Sequence, residues 1–305
     1  MKFWKKSTWF KTALRFQGSV IPAIFYRVLF CGLFGLLISV LYAFNFSVSW
    51  PILGSVVPSI VLGLLLVFRT NTAYDRFWEG RKCWGVINNN VRNLSRQILV
   101  SVIEQKPEDR EEKIAAMRLL VAFAIAMKLH LRHEPINAEL AEMMPSALYA
   151  KLKMINNPPL EIAFWIADYL QKQYECHNLS LYQLTAMQEL LNSMVDMLGG
   201  CERIQKTPMP LAYAIHLKQL LLIYCLLLPF QLVKDLGVWT GLIISLVAFT
   251  LFGIEEIGIE IEDPFGRDPN DLPLDTICNG MKRNLEDLIS LSPNISKYDN
   301  HSPTI

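Results

Sequence analysis

The sequence predicts an all-α protein built into a membrane, and three observations carry that prediction. From Val28 to Phe68 the chain runs without a single Asp, Glu, Lys, Arg or His, bounded by Arg27 and Arg69. Two further uncharged runs, Gln219–Val233 and Leu236–Ile254, lie near the other end. Between them, MRLLVAFAIAMKLHL, IAFWIADYL and LTAMQELLNSMVDML repeat apolar residues at helical spacing in an otherwise polar region.

Composition agrees. Of 305 residues, 52% are hydrophobic and 19% charged, below the roughly one quarter charged that is usual in soluble domains. The net charge is +1, and the basic residues form no block with interleaved aromatics, so a nucleic-acid partner is excluded. The six cysteines lie far apart with no CxxC pair, which signals neither a disulfide framework nor a zinc site and predicts reduced thiols.

The elements follow in chain order. Residues 1–26 form a basic arm in which Trp4, Phe10 and Phe16 alternate with lysines, suited to lying on a membrane surface or to orienting the helix that follows. No short apolar core with a cleavage site follows it, so it reads as a retained anchor. Residues 27–69 form a first transmembrane hairpin. At about 1.5 Å of rise per residue the run is long enough to cross twice, turning near Asn45 to Pro51. Arg69, Arg76, Arg81, Lys82, Arg92 and Arg96 crowd the exit of the second crossing, while the turn carries no charge; the positive-inside rule therefore places the N-terminus and this flank in the cytoplasm.

Residues 70–208 read as a cytoplasmic helical region with breaks at Lys106-Pro107, His133-Glu134-Pro135, Asn156–Pro159 and Gly199-Gly200. Residues 209–254 form a second hairpin that turns at Lys234-Asp235. Its first leg must extend back through His216 and Lys218 toward Pro210 to span, so those side chains are expected to snorkel or face protein. Residues 255–290 hold an acidic segment and one more helix near Ile277–Ser290, and 291–305 form a polar tail expected to be disordered.

Three constellations bear on chemistry. Ile60, Leu64 and Phe68 fall at i, i+4 and i+8, one apolar stripe on the second crossing. Copies of that stripe around an axis would make a hydrophobic constriction; a single stripe faces lipid or a neighbouring helix. Ser59 and Gly63 beside it leave room for close helix packing. From Glu255 to Asp275 eight carboxylates face one cation, Arg267. Three readings are open: a hard cation such as Ca2+, pairing with the basic flank at 69–96, or solvation. His130 and His133 share a helix face without a completing ligand, which favours a solvated face. No motif of a common enzyme class is present.

FRTNTAYDRFWEGRKCWG, GGCERIQKTPMPLAYA and EDPFGRDPNDLPLD, in that order along the chain, resemble the bacterial branch of the bestrophin family, and the similarity runs from Gly18-Ser19 onward. The resemblance implies a passive homopentameric ion channel in the bacterial plasma membrane. It would have one axial pore, four membrane helices per subunit, both termini cytoplasmic, and membrane lipids and permeant ions as its other partners. It puts the hydrophobic neck on Ile60, Leu64 and Phe68, and a second aperture on Tyr182, where the family usually carries an aliphatic residue. By similarity to eukaryotic members, Asp263, Asp268 and Asp271, with Glu260, are the candidate Ca2+ ligands; no other cofactor is implied. Chloride is the ion favoured by the family, with a monovalent-cation-permeable homologue as the alternative. A membrane-anchored metal-dependent enzyme and a non-conducting scaffold are the rivals from other classes.

Overall fold

The computed structural model describes residue 11 and residues 14–50 and 56–291. All regular structure among these residues is helical: α1 (Ile21–Ala43), α2 (Val56–Ser101), α3 (Pro107–Leu131), α4 (Ala138–Ala141), α5 (Ser146–Leu152), α6 (Pro158–Glu175), α7 (Leu181–Lys206), α8 (Leu211–Leu236), α9 (Thr240–Glu262) and α10 (Leu274–Leu291). The chain divides into two compact units, one from residues 1–78 and 207–271, the other from 79–206 and 272–305. Helix α2 runs unbroken through the boundary.

Four stretches are long and apolar enough to cross a membrane: Ile21–Ala43, Val57–Ser101, Pro107–Leu131 and Leu211–Glu262. Burial separates them. The apolar window of Pro107–Leu131 is 78% buried inside the protein, against 22% to 33% in the other three, so its hydrophobicity fills a core and is not offered to lipid. Leu211–Glu262 is two helices, α8 and α9, joined by a 3₁₀ turn at Gly237–Trp239. The membrane helices among the described residues are therefore four: α1, the first part of α2, α8 and α9.

In the first unit α1 and α9 lie against each other along small residues. A Cβ on Gly241 would sit 3.0 Å from the Leu36 nitrogen and 3.1 Å from the Gly32 carbonyl, and one on Gly35 would sit 3.2 Å from the Gly241 Cα. Lipid chains are as apolar as leucine, so helices in a bilayer associate through such backbone approach more than through burial. Around this contact Ile24 and Cys31 of α1, Leu62 and Leu66 of α2, Leu217, Leu221 and Cys225 of α8, and Ile244, Ala248 and Phe252 of α9 form one core.

Helix α8 continues through Lys234 and Asp235, where the sequence suggested a turn, and stops at Gly237. Gly237 has φ +51°, a conformation open to glycine and costly for other residues. The Thr240 hydroxyl then donates to the Gly237 carbonyl at 2.7 Å and starts α9. Helix α9 ends at Glu262, eight residues beyond the Ile254 boundary read from charge alone: its last two turns are acidic yet stay helical because they meet cations, as shown below.

The second unit is organised on α3. Fifteen of its residues are buried, from Lys113 to Leu131, and α6, α7 and α10 pack on it. The Lys128 ammonium, 2% exposed, bonds Glu139 at 2.6 Å and Asp275 at 2.8 Å, and Arg132 reaches Asp275 at 3.0 Å. Burial would raise the Asp275 carboxyl, but these two cations outweigh it and hold the group at about 2. His130 and His133 are neither a ligand pair nor simply solvated: His130 Nε2 lies 2.9 Å from Glu202 Oε1, and His133 Nε2 lies 3.1 Å from Gln205 Nε2.

The predicted break at Gly199-Gly200 falls inside α7. A Cβ on Gly200 would lie 3.3 Å from Cys83 Sγ, so that glycine serves close packing and leaves the helix intact. Four of the cysteines, distant in sequence, are neighbours in space as free thiols: Cys31 lies beside Cys225, and Cys83 beside Cys201. Most of the basic arm, 1–10 with 12 and 13, and the tail at 292–305 lie outside the described residues.

Candidate functional site

Helix α2 has two opposed faces. At 3.6 residues per turn each residue advances about 100° around the axis, so Leu62, Leu66, Arg69 and Ala73 fall within an arc of about 60°, and Ile60, Leu64 and Phe68 fall on the opposite side. Burial follows that geometry. Leu62, Leu66, Arg69 and Ala73 are at most 4% exposed, whereas Ile60, Leu64 and Phe68 are 57%, 53% and 62% exposed. The chain thus leaves uncovered the stripe that the spacing marked out, about 12 Å long from Ile60 to Phe68 at 1.5 Å per residue. Gly63, beside the stripe, has no atom of the rest of the chain within 4 Å of where a Cβ would stand. Ser59 Oγ, by contrast, is 3.1 Å from the Tyr224 hydroxyl and ties α2 to α8.

Behind the stripe is a polar node. Arg69 Nη2 donates to Glu262 Oε2 at 2.6 Å, and the other carboxylate oxygen of Glu262 accepts the Met209 backbone N–H at 2.6 Å. Arg76 donates to the Glu262 carbonyl at 3.3 Å and to the Thr207 carbonyl. One turn and more earlier on α9, Arg27 of α1 meets Glu256 at 2.8 Å and Glu255 at 3.5 Å. Of the three readings open for the acidic segment, pairing with the flank at 69–96 accounts for Glu262, while Glu255 and Glu256 pair with Arg27, outside that flank. Glu262 carries the node, and nothing in the run of eight acids singles it out. One signal was present: Arg27 and Arg69 close the apolar run at its two ends, and Glu255, Glu256 and Glu262 follow the last apolar run.

The candidate calcium residues behave differently. Asp263 Oδ1 accepts the Phe265 N–H at 3.4 Å, and Asp271 Oδ2 accepts the Asp268 N–H at 2.7 Å. Glu260 Oε2 accepts from Asn270 Nδ2 at 2.6 Å, and the same amide lies 3.5 Å from the Gly18 carbonyl. The bonds of Asp263 and Asp271 are the local side-chain to backbone bonds by which Asp stabilises turns. Among the described residues no group of three or more His, Cys, Asp or Glu side chains is placed to hold a metal. Asp263 and Asp271 are arranged as loop caps, while Glu260 pairs with the Asn270 side chain. Tyr182 stands in the first turn of α7 in the second unit, 88% exposed beside the exposed Leu181.

Lys218 of α8, expected to snorkel or face protein, is exposed and lines a cavity of about 440 Å3 with Arg27, Glu255, Phe30 and Phe252.

Comparison with known proteins gives a consistent result. A family described as Bacterial/Fungal Bestrophin protein matches residues 1–287. A voltage-dependent anion channel-forming protein of Nostoc sp. is 67% identical over 96% of this chain and 96% of its own length. A voltage-dependent anion channel-forming protein of Escherichia coli is 32% identical over 91% of this chain and 90% of its own. The crystal structure of a bacterial bestrophin homologue from Klebsiella pneumoniae superposes with a TM-score of 0.78 at 29% identity, covering 88% of this chain and 100% of that one. Membrane helices, exposed stripe and matched family together lead to one conclusion: the chain belongs to the bacterial and fungal bestrophin family.

Proposed function

We propose that the protein is a passive anion channel of the bestrophin type, conducting along an axis around which several copies of α2 gather. The observation that carries this reading is the exposed stripe Ile60, Leu64 and Phe68, opposite a face of α2 that is almost completely buried. Three large apolar side chains left bare by their own chain, on a helix that crosses the membrane, supply the wall of a hydrophobic neck when copies meet. Five copies is the number the family resemblance implies. An apolar neck conducts only when wet, so the reading needs no catalytic residue and no cofactor. Relatives named as anion channel-forming proteins support the ion class.

In the same reading the N-terminus and the flank following Phe68 are on the cytoplasmic side of the inner membrane, Tyr182 lines a second aperture, and calcium has no part in gating. The loop-capping bonds of Asp263 and Asp271 support this last point.

The test is recording from purified protein in planar bilayers. Replacing Ile60, Leu64 and Phe68 together with alanine is expected to widen the constriction and raise single-channel conductance. Unchanged conductance in a variant that still assembles would mean that the stripe faces lipid.

A further inference from the structure

The stripe does not stop at Phe68. Continuing along α2 at the same pitch, Asn71 and Asp75 fall within the same arc of about 80° that holds Ile60, Leu64 and Phe68. Both are exposed, as the apolar three are. Asp75 lies about 10 Å beyond Phe68 along the axis, seven residues at 1.5 Å each. Between Val57 and Asp75 it is the single charged side chain on that face.

Arg69 and Arg76, the cations near it within the first unit, are turned elsewhere. Arg69 is 4% exposed and held by Glu262, and Arg76, adjacent to Asp75, donates to the carbonyls of Glu262 and Thr207 behind the stripe. Arg69 and Arg76 therefore contribute little charge to the face on which the neck lies, while one carboxylate per subunit is presented there about 10 Å from Phe68; the first cation on that same arc, the exposed Lys82, comes about 10 Å further along α2.

We infer that Asp75 is a specificity-determining residue, forming a ring of carboxylates at the exit of the neck that draws monovalent cations in and limits the preference for anions. The inference rests on the neck reading. A potential of about 1 kT at the ring concentrates cations and depletes anions by about e-fold each, changing their ratio about sevenfold; potentials of this size are ordinary for lined clefts. The Debye length is about 10 Å at 0.1 M salt and about 3 Å at 1 M, so the ring acts strongly in dilute salt and weakly in concentrated salt.

Reversal potentials of the purified full-length channel under a KCl gradient test this. Asp75→Asn is expected to raise the chloride to potassium permeability ratio about three- to tenfold at low salt, and Asp75→Glu to leave it near the parent value. A second measurement needs no variant: lowering KCl on both sides at a fixed gradient should weaken the parent's anion preference, and this salt dependence should shrink in Asp75→Asn. If Asp75→Asn assembles and its ratio and salt dependence match the parent, the inference is overturned; it is overturned equally if the parent shows no salt dependence. The two readings fail separately. An effect of the triple alanine variant on conductance, with none of Asp75→Asn on selectivity, retains the neck and removes the ring. Loss of both effects removes the neck as well.

Discussion

The bond between Arg69 and Glu262 offers a quantitative test of how α2 is held. Arg69 is 4% exposed, the Glu262 side chain 16%, and they meet at 2.6 Å; the same carboxylate accepts the Met209 N–H. Removing one partner of a buried pair costs about 3–5 kcal/mol, because the other charge stays behind unpaired. Glu262→Ala also strips the acceptor from Met209, which adds about 1–3 kcal/mol if no water replaces it. At this chain length about 1 kcal/mol lowers Tm by about 2 °C, so Glu262→Ala is expected to lose about 8 °C or more. Glu262→Gln keeps an oxygen for Met209 and loses only the charge, and should fall between the alanine variant and the parent. Arg69→Met combined with Glu262→Gln leaves no orphan charge and should recover most of the loss, since replacing both members of a buried pair is often close to neutral. The assay is thermal unfolding of the detergent-purified protein at one scan rate, followed by intrinsic tryptophan fluorescence. A shift under about 2 °C for Glu262→Ala, or a double variant less stable than Glu262→Ala, would refute the view that this pair anchors α2.

The remaining expectations concern packing, acid and metal. Gly241→Ala places a Cβ within 3.0–3.1 Å of α1 backbone atoms and should lower Tm by the few degrees that overpacking of about 1–3 kcal/mol implies. Gly280→Ala in α10, where nothing lies within 4 Å, should instead raise it slightly, by about 0.5–1 kcal/mol of helix propensity. The Asp275 carboxyl is depressed to about 2 in the folded chain, below the unfolded value near 4. Its contribution is therefore complete above about pH 4 and is lost as pH falls from there toward 2. Asp275→Asn should flatten this acid limb of a Tm against pH curve and leave neutral-pH selectivity unchanged. Adding millimolar calcium, or EDTA, should change neither Tm nor open probability; a calcium-dependent rise in Tm would show that the loop at 260–271 releases its internal bonds to take the ion. Tyr182→Ala should raise conductance if the ring narrows an aperture, and leave it unchanged if the side chain only faces solvent.

The apolar parts of this chain were legible from sequence because their cause is local. Uncharged runs must be helical in lipid, since every backbone N–H and C=O there needs an internal partner, and the i, i+4, i+8 spacing of Ile60, Leu64 and Phe68 is a property of one helix. Polar partnerships were not legible, because they join residues far apart: Arg69 finds Glu262 across 193 positions, and Lys128 finds Asp275 across 147. Counting charge along the flank places Arg69 and Arg76 at the exit of the second crossing. The folded chain uses both to fasten α2 to the end of α9 and the turn before α8. A net count over a segment is a statement about its summed charge, whereas an ion in a pore responds to what one face presents at close range. On that face, between the apolar stripe and the end of the first unit, the charged group nearest Phe68 is a carboxylate. On the proposed reading, one position on the exposed face of α2 therefore tunes ion preference without any change to the neck itself.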